Sequence, residues 1–420
     1  MSEQVTDLST DPAPERKPKT LEALRHRDFR LIFLGQALSV VGDGAYLTVL
    51  AWFTFRMTDS AGAVAAVLGV ITTSKLLVLL VGGALADRYD RRALMLASDL
   101  VRGVAVLMLT LATWQGVRSV ALLIVIAALV GMFDSVFNPA FMGIVPSLVD
   151  KPLYPSANAL IGFVRSSRGV AGPALGGALY AALGPTAVFG LNAATFFLAA
   201  LLVSRTRPSR QERPTGGGAR NTFRQIAEGS AYVRSMPILA ISIPVAAVAM
   251  MLADAPTQTL LPKLVRETFG GGALTLAAFE TAIGLGMASG ALLCARINPT
   301  RRRAIVVYGA WTASHVTCAV LVLSPWVPLA TALFFLRGLL TGFGIVLWET
   351  LLMELVPADK LSRVFSVDTF GSTGMLPLGF ALAGVMAPLA DAGVLIGVGQ
   401  AVAAVLMISL LAVRRIRSVQ

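Results

Sequence analysis

The sequence predicts an all-α polytopic membrane protein, with twelve transmembrane helices in two pseudo-symmetric bundles of six. Three observations carry that prediction. The 420 residues are 56% hydrophobic and only 14% charged, with mean hydropathy +0.75, whereas a soluble domain carries about 25% charged residues. Apolar stretches recur along most of the chain, each long enough at about 1.5 Å per residue to cross roughly 30 Å of hydrocarbon. The Lys and Arg residues between those stretches fall mostly on alternate loops, the pattern by which membrane proteins orient themselves.

Residues 1–28 are polar, hold Pro12, Pro14 and Pro18, and contain no apolar core of a signal peptide; they are expected to form a cytosolic tail. Spans are expected at 29–55, 61–84, 93–114, 119–145, 153–182 and 184–204, and again at 237–262, 271–295, 303–323, 326–353, 360–388 and 391–413. Residues 205–236, beginning "RTRPSRQERPTGGGARNT", read as a basic, flexible cytosolic linker between bundles 29–204 and 237–413, with 414–420 as a second tail. One set of loops holds Arg88, Arg91, Arg92, Lys151, Arg301, Arg302, Arg303, Lys360 and Arg363 together with the basic tails and linker. The opposite set holds Arg56, Arg118, Lys263 and Arg266. Both termini are therefore expected in the cytoplasm, with the chain in the inner (plasma) membrane. The same distribution accounts for the net charge of +12 without a nucleic-acid partner. Cys294 and Cys318 lack metal-type spacing, and neither a metal nor another cofactor is expected.

The two bundles look like distant copies. A shift of 211 residues sets Asp43 on Asp254, Asn138 on Glu349, and Val145-Pro146 on Val356-Pro357. Duplicated bundles place a substrate site at the repeat interface near the midplane.

The stretch "GGALADRYDRR", Gly82 to Arg92, lies between spans two and three. Its Gly83, Asp87, Arg88 and Arg91 resemble the signature loop of the major facilitator superfamily, and the span count, duplication and central linker agree with that family. Asp90, where most members have glycine, points to the macrolide-efflux-like drug:proton antiporter branch. "GQALSVVGDG", "FNPAFMGIVPSLV", "SANAL" and "ELVPADKLSRVFS" resemble that branch too. Asp87 and Arg91 share a helical face, so a charged latch at the cytoplasmic end is expected, joined by Asp99, Arg102 and Asp368. Gly172, Pro173, Gly176 and Gly177, in "GPALGG", resemble the core of the exporters' antiporter motif, although Arg168 stands at a position usually held by glycine; a small-residue packing seam is the alternative. The arginine that many drug:proton antiporters carry early in span four is absent from "ALLIVIAALVGMFDSVF", whose one charge is Asp134.

An ionisable side chain deep in a bilayer is costly enough to suggest function. The candidates for proton coupling or substrate contact are Asp43, Lys75, Asp134, Arg165, Asp254 and Glu280. Equal depth on adjacent spans suggests that Asp134 pairs with Arg165. Asp43, flanked by Gly42 and Gly44, is the foremost proton carrier, with Lys75 as a partner able to keep it ionised. His315 is expected to be a packing histidine. Phe33, Phe137, Met250 and Trp348 are among the side chains expected to offer a greasy cavity.

The resemblance implies a transporter rather than an enzyme: a proton-coupled exporter of a hydrophobic or amphipathic small molecule such as a drug, an antibiotic or a siderophore. It is expected to act as a monomer, and no P-loop is present to use a nucleotide. A lipid flippase or uptake permease of the same fold, and a non-transporting membrane sensor or scaffold, are the alternatives.

Overall fold

A computed structural model describes residues 21–207, 219–297, 299–321, 325–413 and 416, with side chains throughout except at 79–88, 219–226, 358, 359 and 362. The first bundle holds α1 (Arg27–Thr58), α2 (Ala61–Arg88), α3 (Arg91–Trp114), α4 (Val120–Ile144), α5 (Tyr154–Leu183) and α6 (Pro185–Ser204). A further helix, α7 (Ala219–Ser235), precedes the second bundle. There, α8 (Pro237–Ala249) and α9 (Ala255–Glu267) join through a π-helical turn, Met250–Asp254, into one span. The rest are α10 (Ala273–Ile297), α11 (Arg303–Leu321), α12 (Val327–Leu355), the consecutive α13 (Ala358–Thr373) and α14 (Leu376–Met386), and α15 (Ala392–Ser409).

By length and composition, 11 of these spans are apolar enough to cross a membrane. The remaining one, α5, carries Arg165 and Arg168 among glycines and serines, yet packs between α1 and α10 as a full span. Short polar caps separate the spans. Asp90 accepts from Ala93 N at 2.8 Å to start α3, and Asp391 accepts from Gly393 N at 2.7 Å to start α15. The aspartate that departs from the signature loop is thus a helix cap. Gly184, at φ 80°, turns the chain between α5 and α6 where a Cβ would strain the backbone.

The linker is more ordered than its composition suggests. Glu228 on α7 pairs with Arg363 on α13 at 2.7 Å, and Lys360 Nζ lies 4.9 Å from the centroid of the Tyr232 ring. The back half of the expected linker is therefore a helix docked on the second bundle.

The bundles meet at the end opposite the termini. Trp52 and Ala61 pack with Leu260, Leu261, Phe279 and Phe334 in one buried cluster, and Asp59 pairs with Arg266 at 2.5 Å beside it. Deeper in, the "GPALGG" residues are a seam. A Cβ on Gly172 would lie 2.6 Å from Gly44 Cα, and one on Gly176 would lie 2.8 Å from Ala45 Cα. A Cβ on Gly177 would collide with Ala277 of the other bundle. Small residues here let three backbones touch. Gly177→Leu is therefore expected to wedge α5 from α10, at an overpacking cost of about 1–3 kcal/mol. Disulfide trapping of Asp59→Cys with Arg266→Cys should then fall relative to the same pair without the wedge.

Candidate functional site

Midway through the first bundle, four spans aim charges at one point. Arg102 of α3 is its hub, 2% exposed. Its Nη2 donates to Asp99 Oδ1 at 2.6 Å, while its Nη1 lies 3.6 Å from Asp134 Oδ1 and 3.8 Å from Asp43 Oδ2. The guanidinium lies 4.4 Å from the centroid of the Phe196 ring and 4.9 Å from that of Phe137, a stacking that the planar arginine group tolerates better than an ammonium would. Lys75 completes the cluster by pairing with Asp134 Oδ2 at 2.7 Å. A cavity of about 290 Å³ opens beside it, lined by Asp43, Arg102, Asp134, Arg165 and Arg168 together with Phe33 and Phe137.

Several expectations change here. Asp134 pairs with Lys75 and Arg102, whereas Arg165 lines the cavity and makes no ion pair among the described residues. Equal depth fixed their height but not the face each presents. Asp99 and Arg102 belong to this buried cluster, not to a surface latch; Asp99 is 0% exposed. The side chains of Gly83, Asp87 and Arg88 lie outside the described residues. Arg91 and Arg92 serve their own bundle: Arg91 Nη1 donates to Gly143 O at 2.5 Å, and Arg92 Nη2 to Ser204 O at 2.6 Å. Both satisfy carbonyls at helix C-termini, where the dipole also favours a cation.

The second bundle holds a different kind of site. A cavity of about 570 Å³ lies between mid-span and the termini end. At its deep end Asp254 pairs with Arg337 at 2.6 Å. The π-helical turn ends at Asp254, and such turns are frequent at functional sites because they re-aim a side chain. Met250, Ile283, Met287 and Trp311 supply apolar walls. Nearer the mouth, Trp348 Nε1 donates to Asp368 Oδ2 at 3.3 Å. Asp368, expected in the latch, therefore faces this cavity, as does Glu349. His315 Nδ1 is hydrogen bonded to Gln400 Oε1 at 2.7 Å, the packing role expected of it, and its ring also reaches the cavity.

Asp43 and Asp254, matched by the 211-residue shift, both sit at mid-span on the first span of a bundle, and each meets an arginine. The arginines come from different places: α3 in one bundle and α12 in the other. Sequence reading missed Trp311 as a lining residue. Trp311 lies on α11, the third span of its bundle, and an isolated tryptophan in an apolar run gave no signal.

The Major Facilitator Superfamily profile matches residues 32–380. The chain is 28% identical over 372 residues to the MFS-type transporter YfiS of Bacillus subtilis, covering 85% of this chain and 86% of that protein. It is 26% identical over 397 residues to the enterobactin exporter EntS of Citrobacter koseri, covering 93% and 94%. Among solved structures, the nucleoside transporter NupG superposes with TM-score 0.70 at 11% identity over 92% of this chain and 98% of that one. A bacterial homolog of the human lysosomal transporter Spinster, in an inward-facing and unoccupied conformation, superposes with TM-score 0.68 at 14% identity over 97% of each chain. With its twelve-span architecture and a profile match over most of its length, the chain belongs to the major facilitator superfamily of membrane transporters.

Proposed function

We propose that the chain is a secondary active exporter of a hydrophobic or amphipathic small molecule, driven by proton antiport through alternating access, with both termini on the cytoplasmic side of the plasma membrane. The observation that carries this reading is the cavity of about 570 Å³ in the second bundle. Its size suits a small organic compound, and its walls combine Trp and Met surfaces with a few charges, as ligand sites do. The cavity lies on the termini side of the seal between bundles, where a cytoplasmic compound would enter. The enterobactin exporters among the relatives favour outward transport of such a compound.

The cluster in the first bundle supports proton coupling. Within ion-pair distance, Asp43, Asp99 and Asp134 face Arg102 and Lys75. Three carboxylates against two cations leave one negative charge, which a proton or an approaching Arg168 can balance. Exchange between those two partners would tie protonation to movement of α5.

Reconstituted protein with an imposed pH gradient tests the reading. The fluorescence of an amphipathic dye and of a lumenal pH probe should change together, with dye and protons moving in opposite directions. Dye movement that survives collapse of the gradient would remove proton coupling, and dye movement along with the protons would make the protein an uptake permease.

A further inference from the structure

We propose that Glu280 is a second proton-binding site, and that a proton on its carboxyl bolts the two bundles together at the end opposite the termini. The inference rests on the proton-coupled reading above and adds to it a residue outside the Arg102 cluster.

Glu280 stands on α10 and reaches across the bundle interface to Thr48 of α1, with its Oε2 hydrogen bonded to Thr48 Oγ1. Thr48 Oγ1 also lies 3.2 Å from Gly44 O. A threonine hydroxyl has one proton to donate and two lone pairs to accept with. If Glu280 were ionised, that single proton would have to serve both the carboxylate and the Gly44 carbonyl. If Glu280 carries a proton, both bonds are made: the carboxyl O–H donates to Thr48 Oγ1, and the threonine O–H donates to Gly44 O. The Gly44 carbonyl already accepts a backbone bond within α1, so the protonated acid makes the larger number of bonds, while the ionised form has the Thr48 hydroxyl as its one hydrogen-bond partner among the described residues.

The surroundings offer the ionised form nothing better. The spans packed around α10 are α1, α5, α9 and α12. Their titratable groups include Asp43 and Tyr46 on α1, Arg165, Arg168 and Tyr180 on α5, Lys263, Arg266 and Glu267 on α9, and Arg337 and Glu349 on α12. Among the described residues, none of these forms an ion pair or hydrogen bond with Glu280. Of the cations on these spans, Arg266 is engaged with Asp59, Lys263 with Ala387 O at 3.0 Å and Arg337 with Asp254, while Arg168 lines the cavity of the first bundle. The glycine seam lies immediately alongside. Thr281 Oγ1 lies 3.5 Å from Val170 O, and Gly177 and Gly284 are pressed against Ala277 and Gly169 across the interface. A bare carboxylate at this half-buried position, with no cation bonded to it, would have to be hydrated beside closely packed backbones.

The two states of Glu280 therefore favour two arrangements of the bundles. The protonated acid fits the closed seam; the carboxylate fits a seam opened to water from the far side. In an exporter of the proposed kind, a proton taken up from outside would close that side and return the cavity to the termini side. The ligand is the proton itself, and the seam is the element it biases.

Paired spin labels at Val117→Cys and Leu389→Cys report the separation of the bundles at the far end, since the two native cysteines are buried. In lipid nanodiscs, the wild-type distance distribution should lengthen between about pH 5 and about pH 9, a range that brackets a carboxylate in most protein settings. Glu280→Gln, which keeps a donor for Thr48, should hold the short distance at both ends of that range. Glu280→Asp serves as the folded control and should retain a pH response. A wild-type distance that ignores pH, or a Glu280→Gln protein that opens as far as wild type at high pH, overturns the proposal. The label experiment on Asp43→Asn separates this idea from the proton-coupled reading. That variant should still open with pH even where proton-driven export is lost. Opening abolished by Asp43→Asn but untouched by Glu280→Gln assigns the switch to the Arg102 cluster instead.

Discussion

Arg102→Met is expected to remove most of the folded protein from the membrane. The methionine fills much of the space and is easily accommodated by Phe137 and Phe196. It leaves Asp99 buried without its 2.6 Å partner, however, and deprives Asp43 and Asp134 of their shared cation. Breaking a buried pair from one side typically costs about 3–5 kcal/mol, because the remaining charge is uncompensated. Against a marginal total of roughly 5–15 kcal/mol, that loss is decisive. Folded yield on size-exclusion chromatography should fall several-fold. Adding Asp99→Asn to the same chain should restore part of it, since the most buried of the orphaned carboxylates is then neutral. A single variant with wild-type yield would mean that the cluster is sufficiently hydrated to make Arg102 expendable.

Asp43→Asn is expected to bind substrate yet fail to export it against a gradient. Asp43 meets Arg102 at 3.8 Å, the longest of that arginine's ion pairs among the described residues, and its Oδ1 has no hydrogen-bond partner among them. It is thus the carboxylate of the cluster held most loosely, and it borders the cavity beside Arg168. The amide mimics the protonated acid in shape and charge. Folding should therefore suffer far less than with Arg102→Met, while concentrative export drops to the uncoupled level. Binding, followed by quenching of the cavity tryptophans, should also lose its pH dependence. If proton-driven export persists in this variant, the coupling proton is carried elsewhere, with Asp99 the next carboxylate to replace.

The architecture was legible because the constraint behind it is severe. In hydrocarbon a chain must satisfy its backbone internally, so apolar runs and basic loops mark out spans directly. What could not be read was azimuth. Asp134 and Arg165 sit at similar depth, but a rotation of the helix decides whether a side chain meets α2 and α3 or the cavity, and low-contrast apolar sequence leaves that rotation unmarked. The same ambiguity put Asp99 and Arg102 with the loop, to which they are near in sequence, when the fold turns them inward. The linker erred in the other direction. Its Gly and Pro residues signalled flexibility, yet the segment after them carries Tyr232 and Glu228, which dock on Lys360 and Arg363 only once the second bundle exists to receive them.

The Arg102 cluster and the larger cavity lie in different bundles. The acid–base cluster of Asp43, Lys75, Asp99, Arg102 and Asp134 sits wholly in the first, while Met287, Trp311 and Trp348 face the larger cavity of the second. Replacing any of these three apolar side chains disturbs no ion pair of the first bundle. Under the proposed reading, drift in the compounds handled can proceed one wall residue at a time while the ion pairs of the first bundle stay intact. Laboratory selection for a new compound should accordingly collect its changes within residues 242–407 and leave the acidic and basic positions of α1 to α4 as they are.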